Sequence, residues 1–273
     1  MRFDLSGFNV RLRGLDPECA EFLDGAWGRF AGTGGIPVLD VDVRFAGAEL
    51  APGTIDPAPL DRMFVRDGVE FRSREGRIEI DARGTGTALV ATGNAATRCY
   101  ALINLVVPAL AWRLPVHGAL IVHSGAVLVG EHGFVLVGQA GAGKSTFVNH
   151  AVAAGARIVS EDLNLLVFED ERCHIAGSPL RSRLRPGPGP GRWPVAAILV
   201  PRHGSPAALD PVLRLRASAQ LQANLPFVGD CWMRVPGGPE LSVRLDEVPA
   251  RQLTFEQDSS FVPLLERWLR ENP

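Results

Sequence analysis

An apolar run, Phe134 to Val137, leads into Gly138-Gln139-Ala140-Gly141-Ala142-Gly143-Lys144-Ser145, with Thr146 after it, and a helix is expected over about Lys144 to Ala154. This is G-x-x-x-x-G-K-[ST] in its demanded context of strand, glycine-rich turn and helix. No other stretch constrains the fold as tightly. Glycines let successive backbone N–H groups turn inward around an anion, and the helix N-terminus adds its positive end to the same place. Read this way, Gly138, Gln139, Ala140, Gly141, Ala142, Gly143, Lys144, Ser145 and Thr146 cradle phosphates. Lys144 reaches the β- and γ-phosphates of ATP, and the Ser145 hydroxyl ligates Mg²⁺.

Composition sharpens this reading at one residue. Of 28 basic residues, 27 are Arg, and the single Lys is Lys144. A compact ammonium fits against a phosphate inside a tight backbone cradle where a guanidinium does not. With a net charge of −2 the chain has no basic excess to release counterions from nucleic acid or to hold an anionic membrane, so neither is expected as a partner. The N-terminal MRFDLSGF has no apolar run behind its charges and does not read as a secretory signal. Ala101 to Gly130 is apolar but broken by Arg113, Pro108 and Pro115, and reads as core rather than a membrane span. Cys19, Cys99, Cys173 and Cys231 lack C-x-x-C spacing and read as four reduced thiols of a cytoplasmic protein.

Before the glycine-rich turn, residues 3–12 alternate as one half-buried strand, and Asp16-Pro17 caps a helix carrying Cys19, Phe22, Leu23, Ala26 and Phe30 on one face. Val38 to Phe45 alternates again, and Val69 to Phe71 with Ile78 to Ala82 form a hairpin around Arg74-Glu75-Gly76. A helix from Asn94 to about Trp112 is expected to kink or break at Pro108. Ala119 to Val122 and Ala126 to Val129 read as two short buried strands separated by Ser124-Gly125. After the turn come strands at Arg157 to Ser160, Leu163 to Phe168, Cys173 to Ala176 and Ala196 to Val200, and a closing helix over Phe261 to Leu269. Arg185 to Trp193 (RPGPGPGRW) is too poor in apolar residues to pack and is expected as a mobile loop.

A phosphate cradle needs an acidic partner, and two pairs compete. Glu161-Asp162 closes the strand after the cradle helix, which in an open sheet puts both acids at the phosphate edge. Glu169-Asp170 follows the apolar LLVF, but if that strand doubles back the pair lands at the far edge, among the charges of a solvated turn. Glu161-Asp162 is favoured. One of its carboxylates would help hold Mg²⁺ and the other would take the proton from an attacking hydroxyl, and the spacing does not say which. His123 is either a packed core histidine or, from its strand end, a group that stabilises charge on the transferring phosphoryl. Spacing leaves both open. The other five histidines carry no comparable argument.

The segment Val122 to Asp162 resembles the catalytic core of the HPr kinase/phosphorylase family and its shorter kinase relatives. In that family a histidine precedes the P-loop lysine as His123 precedes Lys144, and an acidic pair closes the next strand as Glu161-Asp162 does. Gly155 has a counterpart as well. The resemblance implies Asp162 as the catalytic aspartate, Lys144 as the lysine, Ser145 as the Mg²⁺ serine and His123 as the active-site histidine. Departures narrow it. Ala140 and Thr146 stand where the full-length family has serine and glutamate, and His174 to Arg181 (HIAGSPLR) has no carboxylate where a signature tied to the phosphorylase reaction would fall. The shorter relatives, which phosphorylate the serine of a peptide or a small molecule, are the nearer analogy. The full-length family forms homo-oligomers, which the resemblance makes an expectation here.

The expected fold is α/β: a P-loop NTPase core of the HPr kinase/PEP carboxykinase type with a mixed sheet over residues 116–273, and a smaller N-terminal α+β region over 1–115. The expected function is an ATP- and Mg²⁺-dependent kinase acting on a serine-type hydroxyl of a protein, peptide or small molecule. Arg181, Arg183, Arg185 and Arg192 would either form a flap over an acidic substrate or a solvated basic loop. The alternative function is a nucleotide-binding regulatory or partner-organising protein that transfers nothing. A relative of PEP carboxykinase would need more metal-ligating His, Lys and Asp than a chain with one lysine supplies.

Overall fold

The computed structural model describes residues 1–32, 34–49, 60–65, 67–180 and 187–272, without the side chains of 47–49. Two compact units divide the chain, Met1–His117 and Gly118–Pro273.

In the first unit, β1 (Arg2–Asp4) and β2 (Asn9–Arg13) form an antiparallel hairpin around Ser6 and Gly7, both at positive φ. The single strand expected over residues 3–12 is therefore two. Their alternation survives the turn because Phe3, Leu5, Phe8, Val10 and Leu12 all stay buried. Helix α1 (Pro17–Trp27) begins as its sequence dictates, with the Asp16 carboxylate accepting from Cys19 N–H at 2.8 Å. Asp16→Ala is expected to cost about 1 kcal/mol, read as a lowered midpoint in urea.

The sheet has seven strands in the order β1-β2-β3-β7-β6-β5-β4, where β3 is Leu39–Glu49, β4 Asp61–Val65, β5 Gly68–Ser73, β6 Gly76–Asp81 and β7 Thr85–Thr92. It is mixed, since β3 runs parallel to both β2 and β7 and the remaining neighbours are antiparallel. Helix α2 (Ala95–Arg113) packs on β6 and β7. It runs on through Pro108, so the expected break does not occur. By length and composition Ala95–His117 could cross a bilayer, but 78% of its most apolar window is buried in the protein, the mark of a core helix. Buried Asn104 donates to both Glu75 oxygens at 2.9 and 3.2 Å, tying the β5–β6 turn to this helix. Where α1 meets α2, Cys19 and Cys99 are joined as a disulfide with Cα atoms 5.7 Å apart. That corrects the expectation of four reduced thiols: packing of two helices brings together cysteines 80 positions apart. Cys173 and Cys231 are buried and lie outside that pairing.

The second unit is an eight-stranded mixed sheet with helices. Strand β8 (Ala119–Val129) pairs with β9 (His132–Val137), β10 (Arg157–Ser160) and β11 (Leu163–Glu169), antiparallel in each case. Then come β12 (Arg172–Ala176), β13 (Arg192–His203), β14 (Ala208–Pro211) and β15 (Ala250–Phe255). Strand β13 is parallel to both β9 and β15, so β9, β10, β13 and β15 all end at one edge of the sheet. Helices α3 (Lys144–Ala153), α4 (Arg214–Ala223), α5 (Gly238–Leu245) and α6 (Val262–Glu271) complete the unit. Its core gathers Phe134, Leu136, Phe147, Leu199, Leu253, Phe255, Phe261 and Leu265, with Phe147 and Phe261 stacked at 5.2 Å.

The Pro/Gly stretch differs from its expectation. Arg185 and Pro186 lie outside the described residues; of the rest, Gly189 is buried, the Gly177 N–H donates to Gly191 C=O at 2.9 Å, and Arg192-Trp193 already belong to β13.

Candidate functional site

Strand β9 runs into the glycine-rich turn at Gly138, and α3 starts directly after it at Lys144. Gly141 and Gly143 have φ of +80° and +90°. A side chain at Gly143 would be strained in that conformation and would also press a Cβ against Phe255 at 3.2 Å and His203 at 3.5 Å. Gly143 is the helix N-cap and supplies no side-chain acceptor, so the first-turn N–H groups of α3 have no side-chain cap. The Lys144 side chain folds back over the turn, its Nζ donating to Gly138 C=O at 2.7 Å and Gln139 C=O at 3.1 Å. The residue is only 8% exposed. Burial pushes its ammonium below the ordinary lysine pKa, and the nearby charge of Asp162 pulls it back up. Ser145 is exposed on the first turn of α3.

The acidic pair comes to the same edge. β10 ends at Ser160, Glu161 and Asp162 follow, and β11 begins at Leu163. Both strands run antiparallel to β8, with Ser160 opposite Ala126 and Leu163 opposite His123. On β8's other side Ser124 pairs with Val137, the residue before the glycine-rich turn. His123-Ser124-Gly125 thus lies between the two loops, and β8 passes through it as one strand rather than the two expected. Gly125 is there for close approach: a Cβ would come within 2.9 Å of the Lys144 carbonyl of the overlying helix.

His123 Nε2 lies 3.5 Å from Asp162 Oδ1, with side-chain exposures of 44% and 15%. The Asp162 carbonyl accepts from Ser124 N–H at 2.9 Å, and its own N–H donates to Ser160 Oγ at 3.1 Å. Glu161 is buried, at 5% exposure. His123, Lys144 and Asp162 are therefore brought together, with Glu161 alongside in the chain.

The competing pair is elsewhere, for a different reason than expected. β11 does not double back but continues the course of β10 along β8, which carries Glu169 about 20 Å from Leu163. There Asp170 and Glu171, both at positive φ, form a tight turn into β12, and Glu169 is paired with Arg192. That guanidinium holds the Glu169 carboxyl below the usual range. Arg192 is thus engaged at the far edge and is not part of a flap, whereas Arg181, Arg183 and Arg185 lie outside the described residues.

Three residues that sequence reasoning passed over shape the site. Buried Asn164 donates to Ser124 C=O at 2.8 Å, Ser124 Oγ at 3.0 Å and Ser160 C=O at 3.3 Å, clamping the Asp162 loop to β8. Asn164→Ala strands those buried acceptors and is expected to cost about 1–3 kcal/mol, checked by chemical denaturation. The Asn224 carbonyl, just after α4, accepts from His123 N–H at 2.8 Å. His203 ends β13 beside Gly143, where its ring lies 6.3 Å from that of Phe255. Its signal was partial: Ala196 to Val200 reads as a late core strand, but only the parallel pairing with β9 brings that strand's C-terminal end to this edge.

Among the described residues no cluster of three or more His, Cys, Asp or Glu is placed to hold a metal ion. Mg²⁺ in a phosphate site needs none, because it is bound through one or two protein oxygens together with phosphates and water. The exposed Ser145 hydroxyl and the Asp162 carboxylate are oxygen donors of that kind.

No protein-family model matches this sequence, and no curated protein does. Among solved structures it is similar to the HPr(Ser) kinase/phosphatase from Coxiella burnetii, at 14% identity over 55% of this chain and 94% of that chain. The TM-score is 0.31, a distant likeness of fold alone.

Proposed function

We propose that this protein is an ATP- and Mg²⁺-dependent kinase that transfers the γ-phosphoryl group to a serine-type hydroxyl of a protein, peptide or small molecule. One observation carries the reading: the only lysine of the chain lies at the same sheet edge as the carboxylate of Asp162 and the imidazole of His123, where a glycine-rich turn presents helix N–H groups. A turn built only for structure has no use for a buried ammonium whose side-chain partners are the carbonyls of Gly138 and Gln139.

The backbone of Gly138 to Thr146 surrounds the phosphates. Lys144 exchanges its loop carbonyls for β- and γ-phosphate oxygens, neutralising charge that grows on the leaving group. Ser145, with Glu161 or Asp162, would hold Mg²⁺, which supplies charge neutralisation across the β- and γ-phosphates when bound. Asp162 accepts the proton of the acceptor hydroxyl as that oxygen bonds to the γ-phosphorus and the bond to the ADP oxygen breaks. His123, 3.5 Å from that carboxylate, orients it and stabilises charge on the transferring group. Homo-oligomerisation belongs to the same proposal, whereas the Cys19–Cys99 pairing removes the thiol argument for a cytoplasmic location.

The test is ADP formation from MgATP over a panel of serine, threonine and tyrosine peptides and serine-like small molecules. ADP is expected in step with phosphorylated serine-type hydroxyls. Tight ATP binding without ADP would instead favour the nucleotide-binding regulatory protein, the reading supported by the lack of a carboxylate in His174 to Arg181.

A further inference from the structure

At the opposite edge of the second unit's sheet, where β9, β13 and β15 begin, lies a cavity of about 940 Å³, at the upper end of the size range of small-molecule sites. Arg172, Arg214, Arg244 and Arg251 line it, against two carboxylates, Glu171 and Glu247. Elsewhere in the unit arginines meet acids, as Arg157 meets Glu131 and Arg192 meets Glu169. Among the described residues none of the four cavity arginines is in an ion pair. The cavity gathers an excess of positive charge in a chain whose net charge is −2.

Two of these guanidinium groups are held in place by aromatic faces. Arg251 lies 4.2 Å from the centre of the Trp268 ring and donates from Nη1 to Ala250 C=O at 2.7 Å. Arg244 lies 5.5 Å from the Phe168 ring and donates from Nη1 to Phe168 C=O at 2.9 Å. A guanidinium stacked through its face and bonded through one nitrogen keeps its remaining N–H groups for a planar, bidentate anion. A concave wall focuses the field of such charges, and the cost of crowding them falls when an anion enters.

We infer that this cavity is a second binding site, for a small organic anion bearing at least two carboxylate or phosphate groups. β9 spans about 17 Å from this edge to the glycine-rich turn, so the site is separate from the candidate phosphate cradle. The inference does not depend on the kinase reading.

Calorimetric titration with citrate and with inorganic pyrophosphate tests it in the full chain, using Lys144→Ala to remove competition from the cradle. Each probe is expected to bind Lys144→Ala saturably at one site. Affinity should fall about tenfold or more when Arg172→Gln and Arg214→Gln are added, two exposed side chains whose loss leaves the packed Arg244 and Arg251 in place. Tighter binding of pyrophosphate identifies a phosphorylated ligand, and tighter binding of citrate a polycarboxylate. No saturable binding of either probe to Lys144→Ala, or equal affinity with and without the two arginines, overturns the inference.

Discussion

Lys144→Ala lowers the affinity for MgATP by about 100-fold or more. Each hydrogen bond from an ammonium to a charged phosphate contributes about 1.5–3 kcal/mol, so losing two costs at least about 3 kcal/mol, or roughly two orders of magnitude in Kd. The geometry supports the large end. The ammonium is already buried over the turn, on the carbonyls of Gly138 and Gln139, and burial has depressed its pKa. Phosphate oxygens would replace two carbonyl dipoles with full negative charge at little reorganisation. Lys144→Arg is expected to fail to restore binding, because a planar guanidinium does not fit the tight cradle as the compact ammonium does. Titration calorimetry reads both variants, with melting curves alongside to separate lost binding from lost fold. Unchanged ATP binding in Lys144→Ala would contradict the phosphate-cradle reading.

Asp162→Asn leaves the nucleotide affinity within roughly threefold but lowers phosphoryl transfer by about 10²–10⁴, the usual contribution of a positioned general base. Asparagine keeps the shape of the side chain, and the backbone bonds that hold the loop, from Ser124 N–H to the Asp162 carbonyl and from Asp162 N–H to Ser160 Oγ, are untouched. What is lost is the acceptor for the hydroxyl proton and the negative charge beside His123 and Lys144. Single-turnover kinetics separate the two effects: binding survives and the chemical step slows. Full turnover in Asp162→Asn would remove Asp162 as the base and leave buried Glu161 as the carboxylate to test next.

How far the site was legible follows from how local its signals are. The glycine-rich turn, the start of α3 and the acid-bearing end of β10 are each written within about ten consecutive residues, and their periodicity changes where the structure changes. The direction of β11 is not local. From sequence, Glu169-Asp170 was placed remotely by supposing a reversal, whereas β11 continues β10 and distance alone separates the pairs. His203, Asn224 and Phe255 reach the site only through the parallel pairing of β13 with β9 and β15 and through α4, connections that no short window contains. Ser124-Gly125 reads as a break by composition, and only the helix packed over it explains a glycine inside a continuous strand. In the first unit, α1 was legible from Asp16-Pro17, while the edge strand β4 and the threonine- and glycine-bearing β7 lack a clear alternation of apolar residues and were missed. The Cys19–Cys99 pairing was hidden for the same reason as β11's course: it depends on which helices pack together.

The central claim is transfer, and the most direct measurement follows the phosphoryl group itself. Purified protein is incubated with Mg²⁺ and γ-labelled ATP, alone and with extract of the cells that make it, wild type beside Asp162→Asn. The predicted result is label on a discrete protein, peptide or metabolite with wild type and none with the variant. Tight ATP binding with no label moved and no phosphate released would contradict the kinase and leave a nucleotide-binding regulatory protein in its place.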